Sequence, residues 1–172
     1  MELRLVDRSG AERVVRGSRA RDARRDLPWA DGYPLDGDAR ACAAFLNQVG
    51  TGTSATPFGY YQIVVEGTVV GGIGFHGPPR DGLVEVGYGI VPAYRRRGVA
   101  TEALRRLLAL AAGLDGVRRV CGRVGEDNVA SQKVMAAVGM QPVGRDPDFL
   151  HYELELGEGG AGGPAGADRA LR

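Results

Sequence analysis

The chain has 172 residues, of which 44% are hydrophobic and 25% are charged. This composition is typical of one globular domain and excludes a disordered or fibrous chain. The 22 Lys and Arg residues nearly balance the 21 Asp and Glu residues, so no overall charge attracts the chain to nucleic acid or to an anionic membrane. Two cysteines are too few for a disulfide scaffold. Neither a membrane-spanning run nor the apolar core of a secretory signal is evident, so we expect a cytoplasmic protein.

The N-terminal third predicts a strand, a loop and a helix. Apolar residues alternate with charged ones over Glu2–Val6, which predicts a strand, and Arg13–Arg16 is a candidate hairpin partner. Residues 28–34 contain two prolines and two aromatic residues, which indicates a shaped loop. Asp38 is predicted to cap a helix that runs from Ala39 to about Val49.

A basic stretch, Arg13–Arg25, contains six arginines and one aspartate. Such runs usually form a solvated helix or turn. The functional alternatives are a rim of positive charge beside an anionic ligand and a nucleic-acid-binding surface. The nearly balanced charge of the whole chain argues against nucleic acid.

The rest of the chain predicts a mixed α/β sheet with helices on its faces. The predicted elements are strands at Tyr60–Glu66, Thr68–Phe75 and Leu83–Val91, a helix at Val99–Ala112, a strand at Val117–Val124, a helix at Asn128–Val138, and strands at Gln141–Gly144 and Leu150–Leu156. One domain is therefore expected over residues 1–156. The Gly- and Ala-rich tail, 157–172, is expected to be disordered.

The passage from the predicted strand at Leu83–Val91 into the helix at Val99–Ala112 is the most informative part of the sequence. The start of a helix leaves backbone N–H groups without intrahelical partners and carries partial positive charge, which suits a phosphate. Gly98 lets the backbone approach an anion closely, and the adjacent arginines, 95–97, provide forked donors for phosphate oxygens. An anion-binding helix start is predicted.

Two blocks of sequence carry a resemblance to a known family. Arg95-Arg96-Arg97-Gly98-Val99-Ala100 resembles the Arg/Gln-x-x-Gly-x-Gly/Ala signature of the GNAT superfamily of acyl-CoA-dependent N-acyltransferases. The second block, Asn128-Val129-Ala130-Ser131-Gln132-Lys133-Val134-Met135, follows at the expected distance. The resemblance covers roughly residues 60–156, and the Asn-x-x-Ser form is similar to the ribosomal-protein N-terminal (Rim-type) branch. It implies a mostly antiparallel sheet of about six or seven strands with about four helices, and acetyl-CoA as cosubstrate.

The resemblance also implies which residues bind acetyl-CoA. Ile90 and Val91 would pair with the pantetheine arm as an added strand would. Asn128 and Ser131 would contact the cosubstrate from the second helix, although Asn128 is equally suited to a plain helix cap. The loop that would bind the pyrophosphate comprises Arg95, Arg96, Arg97, Gly98, Val99, Ala100 and Thr101.

The implied reaction requires a base, because an alkylamine with a pKa near ~10.4 is mostly protonated at neutral pH. Glu85 is the candidate base, acting through a water molecule, and its alternative is an outward-facing strand residue. His76 and His151 are further candidates, since histidine titrates near neutral pH. A backbone N–H near Ile90 or Val91 would polarise the thioester carbonyl.

The departing thiolate lacks its usual donor. Many family members have a tyrosine seven residues after the asparagine, but here Met135 occupies that position and cannot donate a proton. The Ser131 hydroxyl could donate a hydrogen bond to the sulfur. Alternatively, it bonds its own helix backbone.

The acceptor is expected to be a primary amine on a peptide N-terminus, an amino acid or a small molecule. Asp31, Tyr33, His76 and Asp81 are predicted to line its pocket. A metal site is not expected, and the chain could be a monomer or a homodimer. A catalytically silent acyl-CoA sensor is the alternative function.

Overall fold

The computed structural model describes residues 1–17, 27–49 and 56–157. Within these residues, seven strands form one sheet and four α-helices accompany it. The strands are β1 (Glu2–Leu5), β2 (Tyr60–Val65), β3 (Thr68–Phe75), β4 (Leu83–Ile90), β5 (Arg119–Val124), β6 (Gln141–Arg145) and β7 (Leu150–Glu155). The helices are α1 (Arg8–Arg16), α2 (Asp36–Val49), α3 (Val99–Ala112) and α4 (Val129–Ala137), and a short 3₁₀ turn spans Pro92–Tyr94.

The strand order is β1-β2-β3-β4-β5-β7-β6. Every neighbouring pair is antiparallel except β4 and β5, which are parallel. The predicted mixed, mostly antiparallel sheet with helices is thereby confirmed. The parallel pairing extends only from Leu83↔Arg119 to Glu85↔Cys121, whereas β4 continues to Ile90. The sheet therefore opens between these strands beyond Glu85.

Helices pack on both faces of the sheet. Helix α2 contacts β2, β3 and β4, while α3 contacts β1, β3, β4 and α4. Leucines and alanines recur at helical spacing in α3, and Leu104 and Leu107 are fully buried. Along β4 the small residues Gly87 and Gly89 alternate with larger ones, and a Cβ built on Gly89 would lie 2.8 Å from Cδ1 of Leu35, which precedes α2.

The predicted strand at Arg13–Arg16 is wrong, because these residues belong to α1. Asp7 caps this helix by accepting a hydrogen bond from the Gly10 N–H at 2.7 Å. Buried residues at helical spacing, Ala11 and Val14 among them, face the core. The strand that pairs with β1 is β2.

Helix α2 begins earlier than the sequence predicts. The Leu35 carbonyl accepts the first backbone bonds, from the N–H groups of Asp38 and Ala39, so Asp38 lies in the first turn and is not the N-cap. Its Oδ2 accepts a hydrogen bond from the Leu35 N–H at 2.8 Å, the return half of a capping box.

The other predicted elements agree with the structure to within about two residues. The predicted disorder beyond Gly157 and most of the basic stretch, 18–25, lie outside the described residues. Among the described helices, none combines the length and the apolar character needed to cross a bilayer.

Candidate functional site

The first feature of the site is the open edge of β4. The N–H of Val91 donates to the Val70 carbonyl at 2.9 Å, and the Glu85 carbonyl accepts from the N–H of His76 at 2.8 Å. Since polar groups alternate in direction along a strand, those of Tyr88 and Ile90 face away from β3. Strand β5 no longer pairs with β4 at this point. The open edge can thus accept an extended ligand as an added strand does.

A groove of about 820 Å³ runs along this edge. It joins the end of β4 to the beginnings of α3 and α4, and the Lys133 side chain also lines it. The groove brings together most of the residues predicted to bind a cosubstrate: Ile90, Arg95, Arg96, Gly98, Val99, Ala100, Thr101, Asn128 and Ser131. Val91 does not line it, because its side chain is buried and its N–H is bonded to β3.

The beginning of α3 forms one end of the groove. Gly98, with φ +75°, occupies the N-cap position, and no side chain caps the helix there. A Cβ built on Gly98 would meet no atom within 4 Å, so the space in front of the first-turn amides is open. Arg95 donates to the Ile90 carbonyl at 2.8 Å. Arg97 lies over the Tyr94 ring instead of lining the groove.

The beginning of α4 forms the opposite wall. Asn128 caps this helix by accepting a hydrogen bond from the Ser131 N–H at 3.1 Å. Within the part of the chain that the structure describes, the Ser131 hydroxyl has no hydrogen-bond partner. Met135 is buried against Gly122 and belongs to the core. In the described residues, the Ser131 hydroxyl is therefore not hydrogen-bonded to its own helix backbone.

Tyr88 is a wall residue that the sequence analysis did not identify. Its hydroxyl donates to the Ser131 carbonyl at 3.2 Å. Burial raises the pKa of this hydroxyl above its ordinary value, so the group stays protonated at neutral pH. The sequence feature that could have identified Tyr88 is an aromatic residue between two glycines, Gly87 and Gly89.

A second cavity, of about 640 Å³, lies between α2 and the sheet. Leu35, Tyr88 and Gly89 line both this cavity and the groove, so the two spaces meet on β4. The sheet side of the cavity consists largely of glycines: Gly72, Gly74, Gly87 and Gly89.

These glycines let functional side chains lie directly on the sheet. A Cβ on Gly87 would come within 2.8 Å of Nε2 of His76, and one on Gly72 would overlap Asp38 and the Tyr60 hydroxyl. Larger residues at either position would displace the polar groups from the cavity. The glycines thus bring His76 and Asp38 toward the same part of β4.

Glu85 lies next to the cavity but does not line it. Its Oε1 is 3.1 Å from Nδ1 of His76 and 2.9 Å from Nε of Arg123. His76, in contrast, is a wall residue of the cavity and has Nε2 over Gly87. The histidine therefore connects the carboxylate to the cavity.

Asp38 is the only buried charged residue in the described part of the chain, with 3% of its surface exposed. Burial raises the pKa of its carboxyl from 3.8 to about 6, although hydrogen bonds from the Leu35 N–H and the Tyr60 side chain oppose the rise. From the sequence, Asp38 is predicted as a helix cap. Its place in a cavity depends on contacts with distant strands, which local sequence does not reveal.

The remaining predicted pocket residues are less central. Tyr33 is buried behind the cavity wall, where its hydroxyl lies 3.0 Å from that of Tyr60. Asp31 and Asp81 are exposed and line neither space. His151 pairs with Asp146 at 2.7 Å and also lies outside both.

Comparison with known proteins supplies a family and a fold. A family model described as an acetyltransferase (GNAT) domain matches residues 1–141. A protein of Bacillus subtilis named "Uncharacterized N-acetyltransferase YjdG" is 32% identical over 85 residues, which cover 49% of this chain and 51% of that protein. The chain thus matches about half the length of this curated relative.

Solved structures share the fold. One, described as "Structure of a putative ribosomal-protein-serine acetyltransferase from Vibrio cholerae", has a TM-score of 0.59 at 19% identity, over 89% of this chain and 92% of that one. Another, AAC(6')-Ib in complex with ribostamycin and coenzyme A, has a TM-score of 0.52 at 13% identity, over 56% and 63% of the two chains. At these identities the likeness concerns the fold.

Asp38→Asn is expected to stabilise the folded protein at neutral pH. Because the folded-state pKa of about 6 exceeds 3.8, the folded state binds this proton more tightly than the unfolded state. The contribution of Asp38 to stability is complete below pH 3.8 and is lost as pH rises through 6, a change of about 3 kcal/mol.

Asparagine keeps an acceptor for the Leu35 N–H but carries no charge. In chemical denaturation, the variant's advantage in unfolding free energy over the wild type should increase by up to ~3 kcal/mol between pH 4 and pH 8. An advantage that does not change with pH would show that the carboxylate is not desolvated.

Proposed function

The chain belongs to the GNAT acetyltransferase family, and from this membership we propose that it transfers the acetyl group of acetyl-CoA to a primary amine. The observation that carries the proposal is the meeting of two spaces at Tyr88 and Gly89 on β4. The groove would bind the acyl donor and the cavity would bind the acceptor. The amine and the thioester would then meet at the strand that separates them.

The residues of the groove fit coenzyme A. The uncapped beginning of α3 and the open space at Gly98 suit a pyrophosphate, with Arg95 and Arg96 on the same wall. The unpaired edge of β4 suits the pantetheine arm, whose amides can bond to strand backbone. Acetyl-CoA supplies an activated acetyl thioester when bound.

We assign the base role to the pair of Glu85 and His76, in which the Glu85 carboxylate orients the ring and His76 accepts the proton. The 3.1 Å contact between Oε1 and Nδ1 supports a relay in which Nε2 of His76 takes a proton from the reacting nitrogen. This relay replaces the bridging water that the sequence suggested. The N–H of Ile90 faces the groove and is the candidate donor to the thioester carbonyl; the N–H of Val91 is already bonded to Val70.

The thiolate requires a hydrogen-bond donor at the wall formed by α4. Ser131 lines the groove with a hydroxyl that is free within the described residues, which supports its assignment as that donor. Because a thiol has a pKa of only ~8.5, a hydrogen bond suffices to stabilise the departing sulfur.

The Asn128-x-x-Ser131 motif also resembles that of the Rim-type branch, so peptide N-termini belong among the acceptors to be tested.

The test of the proposed function is thiol release from acetyl-CoA across a panel of amines. The panel comprises peptides with free N-termini, polyamines, aminoglycosides and simple monoamines, and mass spectrometry identifies each product. Release that depends on an amine supports the enzyme. Coenzyme A binding without release for any amine would instead favour an acyl-CoA sensor.

Gly98→Glu is expected to abolish coenzyme A binding, because a carboxylate would occupy the space in front of the α3 amides and repel the pyrophosphate. Gly98→Ala carries the same backbone strain at φ +75° without the charge, so it should bind more weakly than wild type but measurably. Gly113→Glu, at the other end of α3, controls for added charge. Calorimetric affinity that is equal for Gly98→Glu and wild type would refute the assignment of the loop.

Glu85→Gln is expected to lower kcat by about 100-fold, the usual scale of general base catalysis, and to leave coenzyme A affinity unchanged. Glu153→Gln is the matched control, since Glu153 is a half-buried strand carboxylate that pairs with Arg119 and lines neither space. Steady-state kinetics distinguish the two variants. Similar losses in both would indicate a structural role for Glu85.

Ser131→Ala is expected to reduce kcat by roughly tenfold, in line with the loss of one hydrogen bond to a charged group, while the capping of α4 by Asn128 is retained. Ala136→Ser, at an exposed position of the same helix that lies outside the groove, controls for changes of helix composition. The readout is single-turnover acetyl transfer at saturating acetyl-CoA. An unchanged rate would remove Ser131 from the chemistry.

A further inference from the structure

The acceptor cavity contains a charged group that the proposed reaction has not used. We propose that Asp38 binds the acceptor as an ammonium ion and accepts its first proton, and that this acceptor is a monoamine on a compact apolar body. The inference rests on the proposed function and names the substrate class of the same site.

Asp38 is a buried carboxylate with no counter-ion among the described residues. Asp38 is 3% exposed and lines the cavity. Among the described residues no Lys, Arg or His forms an ion pair with it, and its partners are the Leu35 N–H and the hydroxyl of Tyr60. A buried carboxylate is normally paired with a cation. An ammonium ion in the cavity would supply that cation.

Asp38 also lies close to the groove that is proposed to hold the thioester. Asp38 lies against Gly72, and Gly72 is the cross-strand partner of Gly89. Directly paired strand residues lie about 5 Å apart, and Gly89 lines both the cavity and the groove. A nitrogen bonded to Asp38 would thus be about one strand away from the groove that is proposed to hold the thioester.

A chain of hydrogen bonds leads to the Asp38 carboxylate from the side chains packed around it. The Gln62 side-chain amide donates to the Tyr33 hydroxyl oxygen at 3.2 Å, and that hydroxyl lies 3.0 Å from the Tyr60 hydroxyl. With Gln62 as donor, Tyr33 can donate to Tyr60, which leaves the Tyr60 proton for Asp38. The chain fixes the carboxylate in place and supplies no positive charge.

The walls define the rest of the acceptor. Away from Asp38 and His76, the cavity is formed largely by Ala41, Ala44, Phe45, Phe58 and Phe75. A body of alkyl or aryl groups fits such walls. In the described part of the cavity Asp38 is the one carboxylate, so a further ammonium group of a polyamine or aminoglycoside would find no second carboxylate there.

The proton balance assigns separate roles to Asp38 and His76. The ammonium gives one proton to the Asp38 carboxylate, and the neutral nitrogen then forms the C–N bond to the acetyl carbon. The C–S bond breaks with its electron pair on sulfur. His76 takes the second proton of the nitrogen, and that proton ends on the thiol. The products are an amide, a free thiol and one proton, which Asp38 returns to solvent.

The same assignment fixes the pH dependence. Asp38 must be ionised to bind an ammonium, and its pKa of about 6 places an acid limb in kcat/KM near that pH. His76 lines the same cavity, and the titratable groups that face Asp38 directly are Cys42 on α2, Tyr60 on β2 and Tyr33 in the preceding loop. Burial raises the pKa of all three, that of Cys42 to about 12, so none titrates in this range.

The test compares Asp38→Asn with Asp36→Asn, the same change at an exposed position of the same helix. The probes are benzylamine and 2-phenylethylamine as monoamines, spermidine as a polyamine, and 2-phenylethanol as a neutral analogue. Wild type should acetylate the monoamines in preference to spermidine. Asp38→Asn should lower kcat/KM for them by about 100-fold and make the acid limb shallower, because His76 must still be neutral to take its proton, with coenzyme A affinity unchanged. Asp36→Asn should behave as wild type.

A second variant tests the same group without removing it. Tyr60→Phe eliminates the hydroxyl that favours the Asp38 carboxylate, so the acid limb should move to higher pH. In calorimetry on the wild-type complex with coenzyme A, 2-phenylethylamine should bind more tightly at pH 8 than at pH 5, and 2-phenylethanol should show no such dependence.

Each failure has a separate meaning. Acetylation of no amine at all would overturn the proposed function. Acetylation of spermidine or peptides but not of the monoamines would overturn the substrate class. An Asp38→Asn enzyme that keeps both kcat/KM and the acid limb would overturn the role of Asp38.

Discussion

The early end of the pairing between β4 and β5 is the constraint on which the site depends. Up to Glu85 the two strands share a parallel ladder, and beyond it β4 continues alone to Ile90. Unpaired strand backbone is costly unless something bonds to it. Here Arg95 covers one carbonyl, that of Ile90, while the adjoining groove remains wide enough for a ligand. The beginnings of α3 and α4 converge on the same opening.

Glycines on β3 and β4 determine what lies on the other side of the opening. Gly72 and Gly89 face one another across the strands, and Gly74 faces Gly87 in the same way. Glycine in a strand gives up packing and increases the entropy lost on folding. In return, Asp38, Leu35 and His76 lie against the sheet where β-carbons would otherwise project. The cavity is therefore a property of two strands together, and neither strand contains it alone.

The groove depends on local sequence patterns and the cavity depends on contacts between distant residues, and this difference explains which parts of the site the sequence predicts. The loop before α3 and the cap at Asn128 are local patterns, and the structure places both on the groove. The acceptor side depends on long-range contacts, so Asp38 was interpreted as a helix cap, and Asp31 and Asp81 were selected although they line neither space. The error at Arg13–Arg16 has a local cause: the apolar pair at 14–15 suits a strand, but Asp7 had already started a helix.

The two carboxylates near β4 differ in how their charges are balanced, and this difference separates their roles. Glu85 contacts the guanidinium of Arg123 and the ring of His76, so it can orient the histidine without needing a cation from the ligand. Asp38 is surrounded by an amide N–H, hydroxyls and apolar walls, and its burial makes the charged form unfavourable. A residue selected for stability alone would be neutral at that position. A carboxylate there is explained by a cationic partner that arrives with the substrate, because burial disfavours the unpaired charge and thereby favours binding of that partner.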